Sequence, residues 1–89
     1  MKAVITVVGK DCIGILAEIS QACKRYNINI VEVSQTVLQD MFCMIMMCDI
    51  SSISIKFSDF SEQMSLVGKK MNISVHVMHE DIFNSMHRI

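Results

Sequence analysis

Several classes of function are excluded by what this sequence lacks. Its longest apolar run, Met41 to Cys48, falls far short of the roughly 20 residues that a membrane-spanning helix needs. There is no basic excess: the formal charge is -1 and the pI about 6.2. A nucleic-acid binder would normally carry a basic face, and attachment to anionic membranes a polybasic cluster. The 4 cysteines, at positions 12, 23, 43 and 48, form no CxxC pair. The chain opens on Met-Lys without an apolar leader block. Together these absences predict a cytoplasmic protein with reduced thiols, with neither nucleic acid nor membrane as a partner.

The parts of an enzyme are missing too. The first loop has no arginine to hold a phosphate, and no glycine-rich cradle appears. Cys12, at the start of a predicted helix, would have a lowered pKa, but no histidine near it in sequence offers a base. The sequence therefore predicts no catalytic residues, no cofactor and no enzymatic activity.

What is present is apolar. With 89 residues the chain is one domain, spanning 1–89. It is 52% hydrophobic with a mean hydropathy of +0.43. So small a sphere has too little interior for that content, which points to an oligomer interface.

Residues 2–8 read as a strand that is apolar at both parities, hence central and covered on both faces. Residues 12–26 read as a helix with Ile15, Leu16, Ile19, Ala22, Cys23 and Tyr26 on one side, stopped by a left-handed Asn27. Residues 28–38 return to strand, with Val31, Val33 and Val37 on one parity and Glu32, Ser34 and Thr36 on the other. Gln39-Asp40 turns into a second strand, 41–50, apolar on both faces. Residues 51–57 are ambiguous, a strand extension or a loop.

A second helix starts at about Ser58 or Asp59, with Asp59 and Glu62 at capping-box spacing and Phe60, Met64, Val67 and Met71 as its buried stripe. Gly68 costs about 1 kcal/mol inside that helix unless a tight helix–sheet contact requires it. Ile73, Val75 and Val77 mark a last strand, and the tail from Asp81 places Ile82, Phe83, Met86 and Ile89 along one helical side. The order is that of an α+β, ferredoxin-like βαββαβ domain. It has a four-stranded antiparallel sheet, two helices on one face and a short C-terminal helix.

The stretch Val8-Gly9-Lys10-Asp11-Cys12-Ile13-Gly14-Ile15-Leu16 carries the functional signal. Asp11 stands at an N-cap position, and Gly14 permits close approach to the first helical turn. The free N–H groups there, with the positive end of the helix dipole, favour a carboxylate. The same residues also make an ordinary capped strand-to-helix turn.

With this topology, the chain resembles an ACT domain, a small regulatory module that binds amino acids. The resemblance covers essentially the whole chain. It rests on Val7 to Leu16 and on Tyr26-Asn27-Ile28-Asn29-Ile30. The ending Glu80-Asp81-Ile82-Phe83-Asn84-Ser85-Met86-His87-Arg88-Ile89 is similar to that of free-standing single-ACT proteins of bacteria and archaea. More distantly, the chain resembles one repeat of the glycine cleavage system transcriptional regulator. The resemblance implies an effector site, often across a dimer interface. Asp11 would contact the ligand's polar atoms, Gly14 give close approach and Asn29 supply a side-chain amide. Cys12, Ile13, Ile15 and Ile30 would complete the lining. The family often has Asn and Pro where this chain has Asp11 and Ile13; Asp11 would repel a bare carboxylate and more naturally meet an ammonium group, or act only as a cap.

Two metal readings fail on geometry. Met41, Cys43 and Met47 alternate in direction with Met44, Met46 and Cys48, so they make no soft-metal cluster. His76 and His79 fall on opposite faces of a strand, and their spacing matches no strong zinc motif. Two functions remain. One is a homodimeric sensor of a small molecule, an amino acid by the resemblance, that signals to an unknown protein partner. The other is a constitutive interaction module that docks proteins through its apolar sheet face and tail.

Overall fold

A computed structural model describes residues 1–10 and 14–86. The elements are β1 (Lys2–Lys10), α1 (Ile15–Arg25), β2 (Asn29–Leu38), β3 (Met41–Asp49), α2 (Phe57–Met71), β4 (Ser74–His79) and α3 (Glu80–Met86). The sheet order is β2-β3-β1-β4 and every pairing is antiparallel. This is the ferredoxin-like βαββαβ arrangement that the hydrophobic periodicities predict.

Strand parity decides which side chains make the core. Ala3, Ile5 and Val7 from β1 join Met44, Met46 and Cys48 from β3 on one sheet face. Ile15, Ile19, Ala22 and Cys23 of α1 and Phe60 and Met64 of α2 close over them. Tyr26 and Phe60 add an edge-to-face ring contact with centroids 6.1 Å apart. The alternation in Met41–Cys48 is as expected: Met44, Met46 and Cys48 are buried, while Ile45 on the other face is 44% exposed. That second face is only partly covered. Val4 lies on it fully buried, flanked by Met47 and Met78 of the neighbouring strands, and α3 packs on β1 and β4. Val8 on the same face is exposed.

Both long helices end on a left-handed asparagine. Asn27 and Asn72 each have φ 60°. The following N–H groups, of Ile28 and Ile73, donate to the carbonyls of Cys23 and Gly68. The helix starts differ from the sequence expectation. Helix α1 begins at Ile15 with Gly14 as N-cap at φ 82°, rather than at residue 12. Asp11, Cys12 and Ile13 lie outside the described residues, as do His87, Arg88 and Ile89 of the tail. Helix α2 begins at Phe57 with Lys56 as N-cap and no side-chain cap bond, so Asp59 and Glu62 form no capping box. Phe57 and Ile55 pack against the core, and this apolar anchorage sets the start a turn-half earlier than the cap signal does. Residues 50–56 form a loop, not a strand extension.

Two more expectations are corrected. A β-bulge between Ile30 and Glu32 takes Val31 out of the alternation, leaving it 51% exposed. In α3, Phe83 is half-buried, but Ile82 and Met86 are exposed, so the helix docks through one ring rather than a stripe.

Gly68 occupies the closest helix–sheet approach. A Cβ there would stand 2.9 Å from the Ile73 carbonyl oxygen and 3.1 Å from Val75 Cγ2. The backbone carbonyl cannot swing aside, because the same turn carries the Ile73 N–H to Gly68 O bond of 2.9 Å. Gly68→Ala should therefore destabilise by about 1–3 kcal/mol in urea unfolding, despite alanine's higher helix propensity. A neutral or stabilising result would show that the contact is loose.

Candidate functional site

The residues expected to hold an effector are carried to two ends of the sheet. Lys2, Asp49 and Asn29 share one end, and Lys10, Met41 and Leu38 the other. Gly14 follows Lys10, whereas Asn29 follows the far end of α1. The 11 residues of α1 alone account for roughly 16 Å between them. One chain therefore does not bring Gly14 and Asn29 together. Gly14 is exposed, and a Cβ on it would meet nothing within 4 Å, so only its left-handed φ demands glycine. Ile15 turns its side chain into the core, and Ile30 packs half-buried against it. Asp11, Cys12 and Ile13 are not among the described residues.

Asn29 lies in a cleft of about 530 Å³ that also takes in Ser20, Lys24, Asp49, Ser51 and Ser52, with Cys23, Ile28 and Ile30 at its apolar base. Local chemistry shapes it. The left-handed Asn27 turns the chain off α1, and its side-chain amide donates to the Ser52 carbonyl at 3.0 Å. Ser54 N–H donates to the Tyr26 carbonyl at 2.9 Å, tying the 50–56 loop to the helix end. At the end of β3, the Asp49 carboxylate accepts from the Ser51 N–H at 2.8 Å. The Ser51 hydroxyl and backbone N–H hold the Asp49 pKa below the ordinary carboxylate value, helped by the nearby Met1 ammonium and Lys2. The Met1 ammonium itself donates to the Ser51 hydroxyl at 3.1 Å.

Beneath the cleft, the Cys48 thiol donates to Cys23. This lowers the Cys23 pKa and, with burial, raises that of Cys48 well above the usual thiol range. No Cα of α1 comes within 8 Å of a Cα of β3, beyond the separation a disulfide bridges. The pair is thus a packed thiol contact. His76 and His79 project from opposite sheet faces, as their pairing with Thr6 and Ala3 shows. His79 stacks at 4.2 Å on Phe57. Among the described residues, no cluster of three or more histidine, cysteine or acidic side chains could hold a metal. No described helix is long and apolar enough to cross a membrane.

A family model for the ACT domain matches residues 2–78. The chain belongs to the ACT domain family. A UPF0237 protein of Listeria innocua is 44% identical over 89 residues, covering 100% of both chains. An ACT domain protein from Streptococcus pneumoniae superimposes with a TM-score of 0.82 at 35% identity, covering 93% of each chain. A putative glycine cleavage system transcriptional repressor shares the fold at 22% identity and a TM-score of 0.68, over 85% of this chain and 43% of its own.

Asn29, expected from the resemblance, shares its cleft with Lys24 and Asp49, which the sequence does not single out. Lys24 reads as one more residue of the polar helix side. Asp49 carries a signal, being the only charge in the strand Met41–Asp49. Because the folded-state pKa of Asp49 is depressed, the carboxylate stabilises the fold above its ordinary pKa. That contribution is lost as pH falls through the lower folded value. The stability difference between wild type and Asp49→Asn, measured by urea unfolding, should therefore be largest near neutral pH. It should shrink below about pH 3.8; a pH-independent difference would contradict the assigned bonds.

Proposed function

We propose that this chain is a non-catalytic regulatory ACT domain that works as a homodimer and senses a small molecule, an amino acid. The observation that carries this reading is the β2 edge. It runs 10 residues from Asn29 to Leu38, in a chain that contains no proline. Its single charge is Glu32, while Val31, Val37 and Leu38 are exposed. Edge strands normally carry guards against pairing, and this one has a lone bulge near its start. The other edge, β4, has 6 residues and is flanked directly by α3.

Antiparallel pairing of two β2 edges about a two-fold axis sets the Asn29 end of one strand beside the Leu38 end of its partner. The turn holding Gly14 lies at that second end. Two copies thereby unite the two halves of the site that one chain keeps apart. Asp11, Cys12, Ile13, Gly14 and Ile15 come from one subunit and Asn29 and Ile30 from the other. A protein described as a putative glycine cleavage system transcriptional repressor has the same fold, and that supports a control function here. The effector changes the energetics of the dimer, and a separate protein reads the result.

A second reading has its own support. Val8, Ile45 and Leu38 leave an apolar patch on the partly covered sheet face, as expected of a constitutive interaction module.

Two measurements test the sensor reading. Thermal unfolding of the full chain against the proteinogenic amino acids should give one clear stabilisation. A ligand at 100-fold over its Kd adds about 2.7 kcal/mol, several degrees for a domain of this size. Asn29→Ala should abolish that shift and leave the dimer intact; no shift from any amino acid would move the assignment to the interaction module. In size-exclusion chromatography, lysine at both Val31 and Val37 should convert the dimer to a folded monomer. A dimer that survives both lysines would place the interface elsewhere.

A further inference from the structure

The cleft around Asn29 is polar in a way that an effector site for an aliphatic amino acid would not be. Its rim carries Ser20 and Lys24 from α1, Asp49 from the end of β3, and Ser51 and Ser52 from the following loop. Apolar surface is confined to the base, at Cys23, Ile28 and Ile30. The polar groups differ in how far they are already engaged. The Asn27 amide is spent on the Ser52 carbonyl, and the Asp49 carboxylate is anchored by the Ser51 N–H. Among the described residues, neither Lys24 nor the Asn29 side chain has an ion-pair or hydrogen-bond partner. The cleft thus presents one unengaged ammonium, one unengaged carboxamide and one fixed carboxylate, which keeps lone pairs to spare.

We propose that this cleft reads both charges of a dipolar ligand: Lys24 takes its carboxylate, Asp49 takes its ammonium group, and the hydroxyl-lined rim favours an amino acid with a short polar side chain. The inference rests on the sensor reading and goes beyond it by naming the two charge-reading residues and the class of side chain. The cleft volume of about 530 Å³ lies within the range of small-molecule sites. The charges stand on different elements, the helix α1 and the end of strand β3. A molecule that bridges them must carry opposite charges itself, so a simple amine or simple acid satisfies only one wall. The serine hydroxyls and the Asn29 amide then need polar partners, because a buried polar group left without one costs binding. A branched aliphatic side chain offers none.

The experiment is isothermal titration of the full chain, with thermal unfolding alongside. The probes are serine, threonine and asparagine, set against valine, leucine and phenylalanine, with ethanolamine and glycolate as single-charge controls. The polar amino acids should bind. Ethanolamine and glycolate should bind at least about tenfold more weakly, and Lys24→Ala and Asp49→Asn should each cost about tenfold or more. Both variants should stay folded, as the thermal unfolding checks: Lys24 is exposed, and in Asp49→Asn, which loses some stability, the amide oxygen can still accept from the Ser51 N–H. If an aliphatic amino acid binds best, or if binding needs Asn29 but ignores Lys24 and Asp49, this inference is overturned while the sensor reading stands. If wild type binds no amino acid at all, both are overturned.

Discussion

The double pairing of β1 constrains everything else in this fold. Hydrogen-bonded to β3 on one side and β4 on the other, this strand cannot shift register without turning Ala3, Ile5 and Val7 out of the core. Its direction fixes the ends of the sheet. The chain leaves β1 at one end, returns along α1, and enters β2 at the other. A glycine turn placed after β1 and an amide placed at the start of β2 are then necessarily far apart. The separation of Gly14 from Asn29 follows from topology rather than from any detail of the loops.

The same strand explains why the two sheet faces differ. On the helix side, α1 and α2 bring Phe60, Ile15, Ile19 and Met64 to full burial. On the other side, Val4 is buried but Val8 and Ile45 stay exposed, and α3 has only 7 residues, about 10 Å of helix. A Met- and Cys-rich β3 suits this asymmetry, since thioethers and thiols pack into an irregular core and tolerate partial exposure. The Cys23–Cys48 contact follows from the same arrangement. Helix and sheet stand too far apart for a disulfide, so two thiols fill the gap as small apolar groups that share a hydrogen bond.

How much of this was legible in the sequence depends on the range of the interaction. Periodicity is local, and it placed all four strands and both long helices. It also assigned Met41, Cys43 and Met47 to one face and Met44, Met46 and Cys48 to the other. Gly68 was legible too, because a glycine inside a helix conflicts with propensity and so announces a contact. Val31 was not, because nothing in Ile-Val-Glu-Val marks which valine the bulge will expel. The capping-box spacing of Asp59 and Glu62 misled, because Phe57 and Ile55 gain more by docking on the core than the box would contribute. In the cleft, Asn29 is singled out only through family resemblance. Lys24 and Asp49 are 25 positions apart and line one cleft through tertiary structure alone, which leaves no pattern in either neighbourhood.

On the sensor reading, dividing the site between ends has a thermodynamic consequence. A ligand that needs groups from two subunits binds the dimer and not the monomer, so ligand and dimer stabilise each other by the same free energy. A domain without catalytic groups can then report a concentration through its assembly state. The weaker the dimer is on its own, the larger the change that a given affinity produces. The bulge at Val31 fits this balance. It interrupts an otherwise unguarded edge beside Asn29 and limits how strongly two β2 strands pair in the absence of a ligand. A flat, fully regular edge would hold the dimer at all concentrations and leave the effector nothing to shift.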